Sequence, residues 1–290
     1  MTLKKLINGW FVNNESIASK MAKYCGQPAI FHKIIPDDKQ QGWNGNQQYP
    51  RICYTYDMQV NKERSSVGML NVALYCDRSS TIIYDLEDEI KRCLKDVLMK
   101  PDNEAPYCFT WARTDGFEFD SAGAVVQGVD IRFDILEYPS QETTDPDPIM
   151  AMLVFIKGQY PDTVVIGLDT LEEYTVASEK PVFYCRVENM EKGLETNTVV
   201  WMDCKIGIHV IYPDAQIRQK MIAGLTNKLS LDGQVKMLDG SPMRMKRLVA
   251  NNKADYLTEG QIMAVCHYGL LRYKSKGIEL HGVENENIGG

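Results

Sequence analysis

The four histidines are the side chains best suited to acid–base chemistry near neutral pH. His32, His209 and His267 each fall in a run of residues that predicts a strand, and His281 lies close to the C-terminus. A catalytic histidine also needs a nucleophile or a carboxylate beside it, and no Gly-x-Ser-x-Gly or His-Glu-x-x-His motif supplies one. We therefore expect structural or surface histidines.

The eight cysteines form the second group that could bind a metal or react. They are widely scattered, no two form a Cys-x-x-Cys pair, and no histidine lies near enough in sequence to complete a zinc site. Several fall inside apolar runs, where a reduced thiol behaves as a small hydrophobic side chain. The sequence thus predicts reduced core cysteines, without a metal.

Two charged clusters are the remaining candidates for a binding site. Residues 85–89 (Asp-Leu-Glu-Asp-Glu) begin a predicted helix, where carboxylates interact favourably with the helix dipole. Residues 244–247 (Arg-Met-Lys-Arg) are the densest basic cluster and predict a solvated strand edge, with contact to DNA or to an acidic neighbour as the alternative. No Gly-rich phosphate-binding motif is present. We expect no catalytic residue, no cofactor and no enzymatic activity.

Composition indicates an ordinary globular protein that is long enough for two domains. The chain has 290 residues, of which 44% are hydrophobic and 24% charged. No apolar run approaches the ~20 residues that span a bilayer, and the N-terminus lacks the pattern of a signal peptide. We expect a soluble intracellular protein without a membrane. The net charge of −7 argues against a large basic surface for nucleic acid.

The elements that would position any site follow a pattern that occurs twice, in residues 15–138 and again in residues 149–273. Each copy predicts a helix, a short strand, a strand led by proline, a hairpin loop, a strand, a helix and a closing strand. Pro28 and Pro161 open the short strands, and Pro50 and Pro181 open the next ones. Internal repeats of this kind decide the architecture of a chain.

The best helix of each copy shares its apolar spacing with the other. The apolar positions of the helix in the first copy are Leu86, Ile90, Leu94, Val97 and Leu98. In the second copy the positions aligned with them are Ile217, Met221, Leu225, Lys228 and Leu229. The closing strand of the first copy alternates apolar and charged residues over 128–137, so one face is buried and the other is wet. In detail, we expect helices over 15–24, 84–100, 149–159 and 214–229, and a short strand over 107–111.

The predicted fold class is α+β, with two tandem similar domains, each a mostly antiparallel sheet with helices packed on one face. The boundaries are residues 1–139 for the first domain, 140–148 for a polar, proline-bearing linker, 149–281 for the second domain and 282–290 for a flexible tail. The hairpin tips carry charges suited to subunit contacts. The candidate interface residues are Lys62, Glu63 and Arg64 in the first copy and Glu191, Lys192 and Glu195 in the second.

This arrangement resembles the tail terminator, or tail completion, proteins of tailed bacteriophages. The resemblance lies in an N-terminal helix that ends near Pro28, the Tyr-Pro-Arg-Ile entry at residues 49–52, and the hairpin through residues 70–75. The helix of Leu86, Ile90 and Leu94 and the alternating strand over 128–137 complete it. In that family the pattern covers one domain, whereas here a second copy repeats it.

The resemblance implies a structural virion protein that forms a ring on the end of the tail tube and stops its polymerisation. The ring would be a homohexamer, or three two-domain chains in a pseudo-sixfold ring. Its partners would be further copies of itself, the tail tube protein and the head–tail connector or neck protein, with the tail sheath as a further candidate. DNA would pass through without specific binding. The protein would be assembled in the host cytoplasm and found in the tail or neck.

Two other functions remain open from the sequence. A head-completion or neck adaptor protein shares the need for ring closure and a DNA channel, but binds the portal side. A small-molecule enzyme on a duplicated α+β scaffold is the hypothesis from another class, since duplicated domains often place a pocket at their interface.

Overall fold

The structure is a computed structural model of the chain. It describes residues 2–45, 47–59, 66–78, 81–121, 124–139, 143–169, 171, 176–177, 180–252 and 259–272.

The elements fall into two successive groups. The first domain contains α1 (Leu3–Asn13), α2 (Glu15–Ala18), β1 (Lys23–Tyr24), β2 (Gln27–Pro28), β3 (Ile30–His32), β4 (Arg51–Met58), β5 (Gly68–Asp77), α3 (Ile83–Leu94), β6 (Leu98–Met99), β7 (Tyr107–Ser121) and β8 (Ala124–Glu137). The second contains α4 (Pro148–Gln159), β9 (Val164–Val165), β10 (Val176–Ala177), β11 (Val182–Glu195), β12 (Val199–Ile211), α5 (Ala215–Asp232), β13 (Gln234–Lys236), β14 (Pro242–Ala250) and β15 (Ile262–Leu271).

The two main sheets have the same topology. The strands of the first domain lie in the order β6-β7-β8-β5-β4-β3, and those of the second in the order β13-β14-β15-β12-β11-β9. In each sheet the short edge strand runs parallel to its neighbour, β3 to β4 and β9 to β11, while the other described pairs are antiparallel. The expectation of two similar, mostly antiparallel α+β domains is therefore confirmed.

Helices cover one face of each sheet. In the first domain, α1 and α3 pack through residues such as Phe11 and Leu86 onto β4, β5, β7 and β8. In the second domain, α4 and α5 pack onto the equivalent strands, around Phe183 and Ile206. The predicted alternation in β8 holds, because Val129, Ile131, Phe133 and Ile135 lie in the core while the charged residues between them point to the opposite face. We call this opposite side of each sheet its open face.

The predicted N-terminal helix is placed wrongly. The structure has an eleven-residue helix over Leu3–Asn13, and only a single turn over Glu15–Ala18 where a helix to residue 24 was expected. This helix, α1, is the true counterpart of α4, because its Leu6, Ile7 and Phe11 are buried in the first core. Beyond α2 the chain forms β1 and β2 instead of continuing as a helix.

The helix predicted over 84–100 ends earlier, at Leu94. Lys95 is extended and Asp96 takes a left-handed conformation with φ of 58°. Val97 and Leu98 are thus outside the helix, and Leu98 pairs with β7 as part of β6. The apolar run continued past the helix because β6 is buried too.

The predicted apolar series of α5 is confirmed at Leu225 and Leu229 but is wrong in the first half of the helix. Its buried positions are Arg218, Ile222, Leu225 and Leu229, whereas Ile217 is 36% exposed. A charged residue at the first buried position hid the true periodicity. The predicted start of the helix is close, since Asp214 is the N-cap residue.

Two hairpins are longer than the sequence indicated. The strand expected over 107–111 continues to Ser121, and β11 continues to Glu195, through the residues that were expected to form a hairpin tip. Both extensions carry many exposed polar residues, so apolar alternation does not mark them. Backbone pairing with β8 and β12 maintains them.

The cap of α5 gives a first prediction. The Asp214 carboxylate accepts hydrogen bonds from the backbone N–H groups of Gln216 at 2.7 Å and Ile217 at 3.0 Å. Asp214→Ala should lower the free energy of unfolding by about 1 kcal/mol, because two N–H groups lose their acceptor. Urea titration measures the change. Asp232→Ala, at the exposed C-terminal end of the same helix, is the matched control and should cost less; equal losses would contradict the capping role.

Candidate subunit interface

The two domains contact each other through their open faces. A separate apolar cluster joins them, built from residues of β6, β7 and β8 on one side and of β9, β11 and β12 on the other. Its buried members are Leu98, Cys108, Leu136, Tyr138, Val164, Ile166, Val182, Tyr184 and Ile211. An apolar cluster between domains of one chain holds them together as a packed unit.

Three rings form the centre of this contact. The ring centroid of Tyr138 lies 5.2 Å from that of Tyr184 and 5.6 Å from that of His209. The Tyr184 hydroxyl donates a hydrogen bond of 2.8 Å to the Pro139 carbonyl oxygen. Burial raises the pKa of Tyr184 to about 12, so the hydroxyl keeps its proton. Edge-to-face pairs of this kind add about 0.5–1.5 kcal/mol beyond the area that they bury.

A buried ion pair closes one side of the contact. Asp96, which follows α3, is fully buried, and Arg218 of α5 is 5% exposed. The Arg218 guanidinium donates to the Asp96 carboxylate at 3.0 Å and to the Tyr212 carbonyl at 2.6 Å. Burial raises the pKa of Asp96 above the usual range, and the adjacent guanidinium opposes that shift. Because an arginine does not lose its charge in a protein, it must keep a carboxylate partner here.

A short strand of the second half of the chain is also added to the edge of the first sheet. β10 belongs to the second half of the chain, yet it pairs with β6 through Val176–Met99 and Ala177–Leu98, and becomes the seventh strand of the first sheet. Hydrogen bonds of the backbone thus continue from one domain to the other.

The contact joins different surfaces of two similar domains. We define the forward surface of the first domain by Leu98, Cys108, Leu136 and Tyr138, near the end of β8. We define the rear surface of the second domain by Val182, Tyr184, His209 and Ile211, at the start of β11 and the end of β12. Because these surfaces occupy different positions in the shared topology, the contact is of the head-to-tail, or heterologous, kind.

The rest of the open face of the second sheet carries a cluster of polar residues beside Trp201. His267 Nδ1 lies 2.6 Å from Asp203 Oδ1, and Lys246 donates to both oxygens of the same carboxylate at 2.7 and 2.8 Å. The Trp201 ring stacks on the His267 ring at 4.7 Å and 6°. The hydrogen bonds from Lys246 and then His267 lower the pKa of Asp203. Among the hydrogen bonds of the described residues, none joins His267 to a serine or cysteine.

The predicted tip residues lie as follows. Glu191, Lys192 and Glu195 are exposed on the outer half of β11. Lys192 binds Glu195 at 2.8 Å, Glu195 also binds Arg272, and Glu191 accepts a hydrogen bond from Asn189 at 2.6 Å. Their role in a subunit contact stays a prediction. Lys62, Glu63 and Arg64 lie outside the described residues.

Six of the eight cysteines are buried and suited to packing, whereas Cys25 is exposed and Cys53 is half-buried. Burial raises the pKa of Cys76, Cys93 and Cys204 to about 12, so these thiols are not nucleophilic thiolates at neutral pH. In the part of the chain that the structure describes, no three His, Cys, Asp or Glu side chains are grouped to hold a metal. Within the same residues, no helix is long and apolar enough to cross a membrane.

Comparison with known proteins gives no relative: no protein-family model, no curated protein and no solved structure matches the chain.

Sequence reasoning missed the residues that join the domains. The strand patterns assigned no contact to Tyr138, Tyr184 and His209, and the helix predicted over 84–100 included Asp96. A signal was present in the aromatic residues that interrupt polar positions at the ends of the predicted strands. An aromatic residue at such a position indicates a second covered surface.

The buried ion pair gives a second prediction. Arg218→Met leaves Asp96 buried without a partner and should lower the free energy of unfolding by about 3–5 kcal/mol. Asp96→Asn combined with Arg218→Met should recover part of that loss, since neither charge then remains. Lys246→Met, which removes an exposed partner of Asp203, is the control and should cost about 1 kcal/mol or less. A loss with Arg218→Met no larger than the control's, in chemical denaturation, would refute the buried pair.

Asp203 gives a prediction about pH. Its pKa is lowered in the folded protein, so its contribution to stability is present above the ordinary carboxyl pKa and is lost as the pH falls through the folded value. Asp203→Asn should therefore destabilise the protein at pH 7 by about 1 kcal/mol or less, because the site is partly exposed. The difference from wild type should shrink below about pH 4. Urea midpoints at pH 7 and pH 3 test this, and a difference that does not depend on pH would contradict it.

Proposed function

We propose that the chain is a structural virion protein of a tailed bacteriophage, a tail terminator. In this proposal it forms a ring that caps the tail tube, stops tube polymerisation and provides the surface for joining the head, while leaving a passage for DNA. It acts by binding and not by catalysis.

The heterologous contact between the two domains is the observation that carries the proposal. Contacts that join one surface to a different surface of a similar unit generate rings when the rotation closes. Two copies of one fold already make such a contact within this chain. A protein that must assemble as a ring needs this kind of interface, whereas an enzyme on a duplicated scaffold needs a pocket with reactive groups.

The physical mechanism is capping. One side of the ring matches the last ring of the tube, and the other side offers no site for a further tube subunit. The net charge of −7 suits a channel that DNA passes without binding, because acidic surfaces repel phosphates. The partners in this proposal are further copies of the chain, the tube protein and the head–tail connector or neck protein, with the sheath as a further candidate. Assembly takes place in the host cytoplasm, and the protein ends in the virion.

Electron microscopy of the purified protein, alone and mixed with tail tubes, tests the proposal. We expect rings, and we expect tubes whose length stops increasing when the protein is added, with one ring on a tube end. A pull-down against tube protein and against portal protein is made in parallel. Capture by portal alone would replace the terminator with a neck adaptor, and a chain that remains monomeric with tubes present would exclude both.

A further inference from the structure

Each domain has a counterpart of the surface that the other uses in the domain contact. The strand registers pair Leu98 with Cys108 and Cys108 with Leu136 in the first domain, and Gln234 with Arg244 and Arg244 with His267 in the second. Tyr138 corresponds, two residues further along, to Gly269. The forward surface of the second domain therefore consists of Gln234, Arg244, His267 and Gly269.

The rear surface of the first domain follows in the same way. Val182 pairs with Ile211, and Tyr184 with His209; in the first domain Arg51 pairs with Tyr75, and Cys53 with Ala73. The prolines at 50 and 181, which precede these strands, fix the correspondence. The rear surface of the first domain therefore consists of Cys53, Ala73 and Tyr75, which are partly exposed, and of Arg51, which is only 7% exposed because it pairs with Asp38.

We propose that the forward surface of the second domain binds the rear surface of the first domain of a second copy of this chain. The chain would then repeat, between molecules, the contact that it makes between its own domains, and the two domains would alternate around the assembly. This inference deepens the proposed function and rests on its ring-forming part. It places the second domain beside the first in one ring, and not in an outer layer.

The forward surface of the second domain has the features of an unfilled contact. A cleft of about 770 Å³ adjoins this surface at Gly269, and Trp201 and Pro242 are among its other lining residues. Leu271, at its margin, is 79% exposed, and Leu238, in the adjoining turn between β13 and β14, is 65% exposed. Large apolar side chains that are exposed together at one end of a sheet indicate a binding surface.

The two proposed partners are complementary in size. Within the chain, Tyr138 contacts Tyr184 and His209, so the correspondence places Gly269 of one copy beside Cys53 and Ala73 of the next. These three residues are small, whereas their counterparts within the chain are three rings. The contact between copies therefore needs another large side chain to fill the space. Val199 and Trp201 fill this space, because Val199 Cγ1 lies 2.8 Å and the Trp201 ring 3.4 Å from the position that a Cβ on Gly269 would take. A large indole against Cys53 and Ala73 replaces three rings that meet in the contact within the chain.

The sheet edge agrees with the same placement. β6, on the forward side of the first domain, receives β10 as an additional strand. Its counterpart β13 ends the second sheet, and no described strand pairs with its outer side. An unpaired edge of this kind is a template for another chain.

Exposed Leu271 provides the test. In a Cys25→Ser background, which removes the exposed thiol, Leu271→Cys is treated with a short bismaleimide. We expect covalently linked species of two or more chains, in which the introduced thiol is joined to Cys53, as shown by mass spectrometry of the linked peptides. Adding Cys53→Ala should abolish them. Val154→Cys, on the exposed side of α4 in the same domain, is the control and should give no such species.

Native mass measures the assembly independently. Wild type should have the mass of two or more chains of 33.0 kDa. Leu271→Glu should shift the mass towards the single chain while the circular dichroism spectrum stays that of the folded protein, and Val154→Glu should leave the mass unchanged. A monomeric wild type, or an oligomer that Leu271→Glu leaves intact, would overturn the inference. Rings that form through these surfaces but do not bind tube ends would refute the proposed terminator function and leave this inference standing. Rings that cap tubes but are held together by other surfaces would refute this inference and leave the terminator proposal standing.

Discussion

A sheet that carries helices on one face leaves its other face to be either polar or covered, and this constraint shapes the whole chain. Both main sheets have their helices on the same side of the same topology. Each open face carries polar residues, as around Asp203 and His267. Where the open faces meet, aromatic and aliphatic residues replace the polar ones, and the buried pair of Asp96 and Arg218 closes the margin. The domains are thus joined where the residues of the open face change locally from polar to apolar.

The sequence predicts the fold where periodicity and proline act together. Pro50 and Pro181 begin the strands that they were expected to begin, and the alternation in β8 marks the core side without error. It fails where a contact distant in sequence decides the local conformation. α3 stops at Leu94, before the left-handed turn that places Asp96 for Arg218, 122 residues away. Arg218 in turn occupies a buried helix position, which no count of apolar residues can reveal.

The candidate site shows the same limit. Charged hairpin tips indicated where subunits could meet, and Glu191, Lys192 and Glu195 do lie on an exposed strand. The contact that the structure displays is instead aromatic and lies at strand ends, at Tyr138, Tyr184 and His209. Single residues at strand ends carry no period, so a pattern search does not find them. Their significance depends on the registers of six strands, and only the three-dimensional pairing supplies these.

Joining two copies of a fold in one chain divides equivalent surfaces into unlike pairs. The contact between Leu136 and Tyr184 forms when the chain folds, at any concentration, because the polypeptide holds its two sides together. At the corresponding surfaces Arg244 is exposed and Cys53 is half-buried, and polar groups are present. In a single-domain protein, every surface that forms a contact in the assembly would have to be soluble in the free subunit and also bind its partner in the assembly. In this chain the inner contact is released from the first requirement, and it can be as apolar as a core.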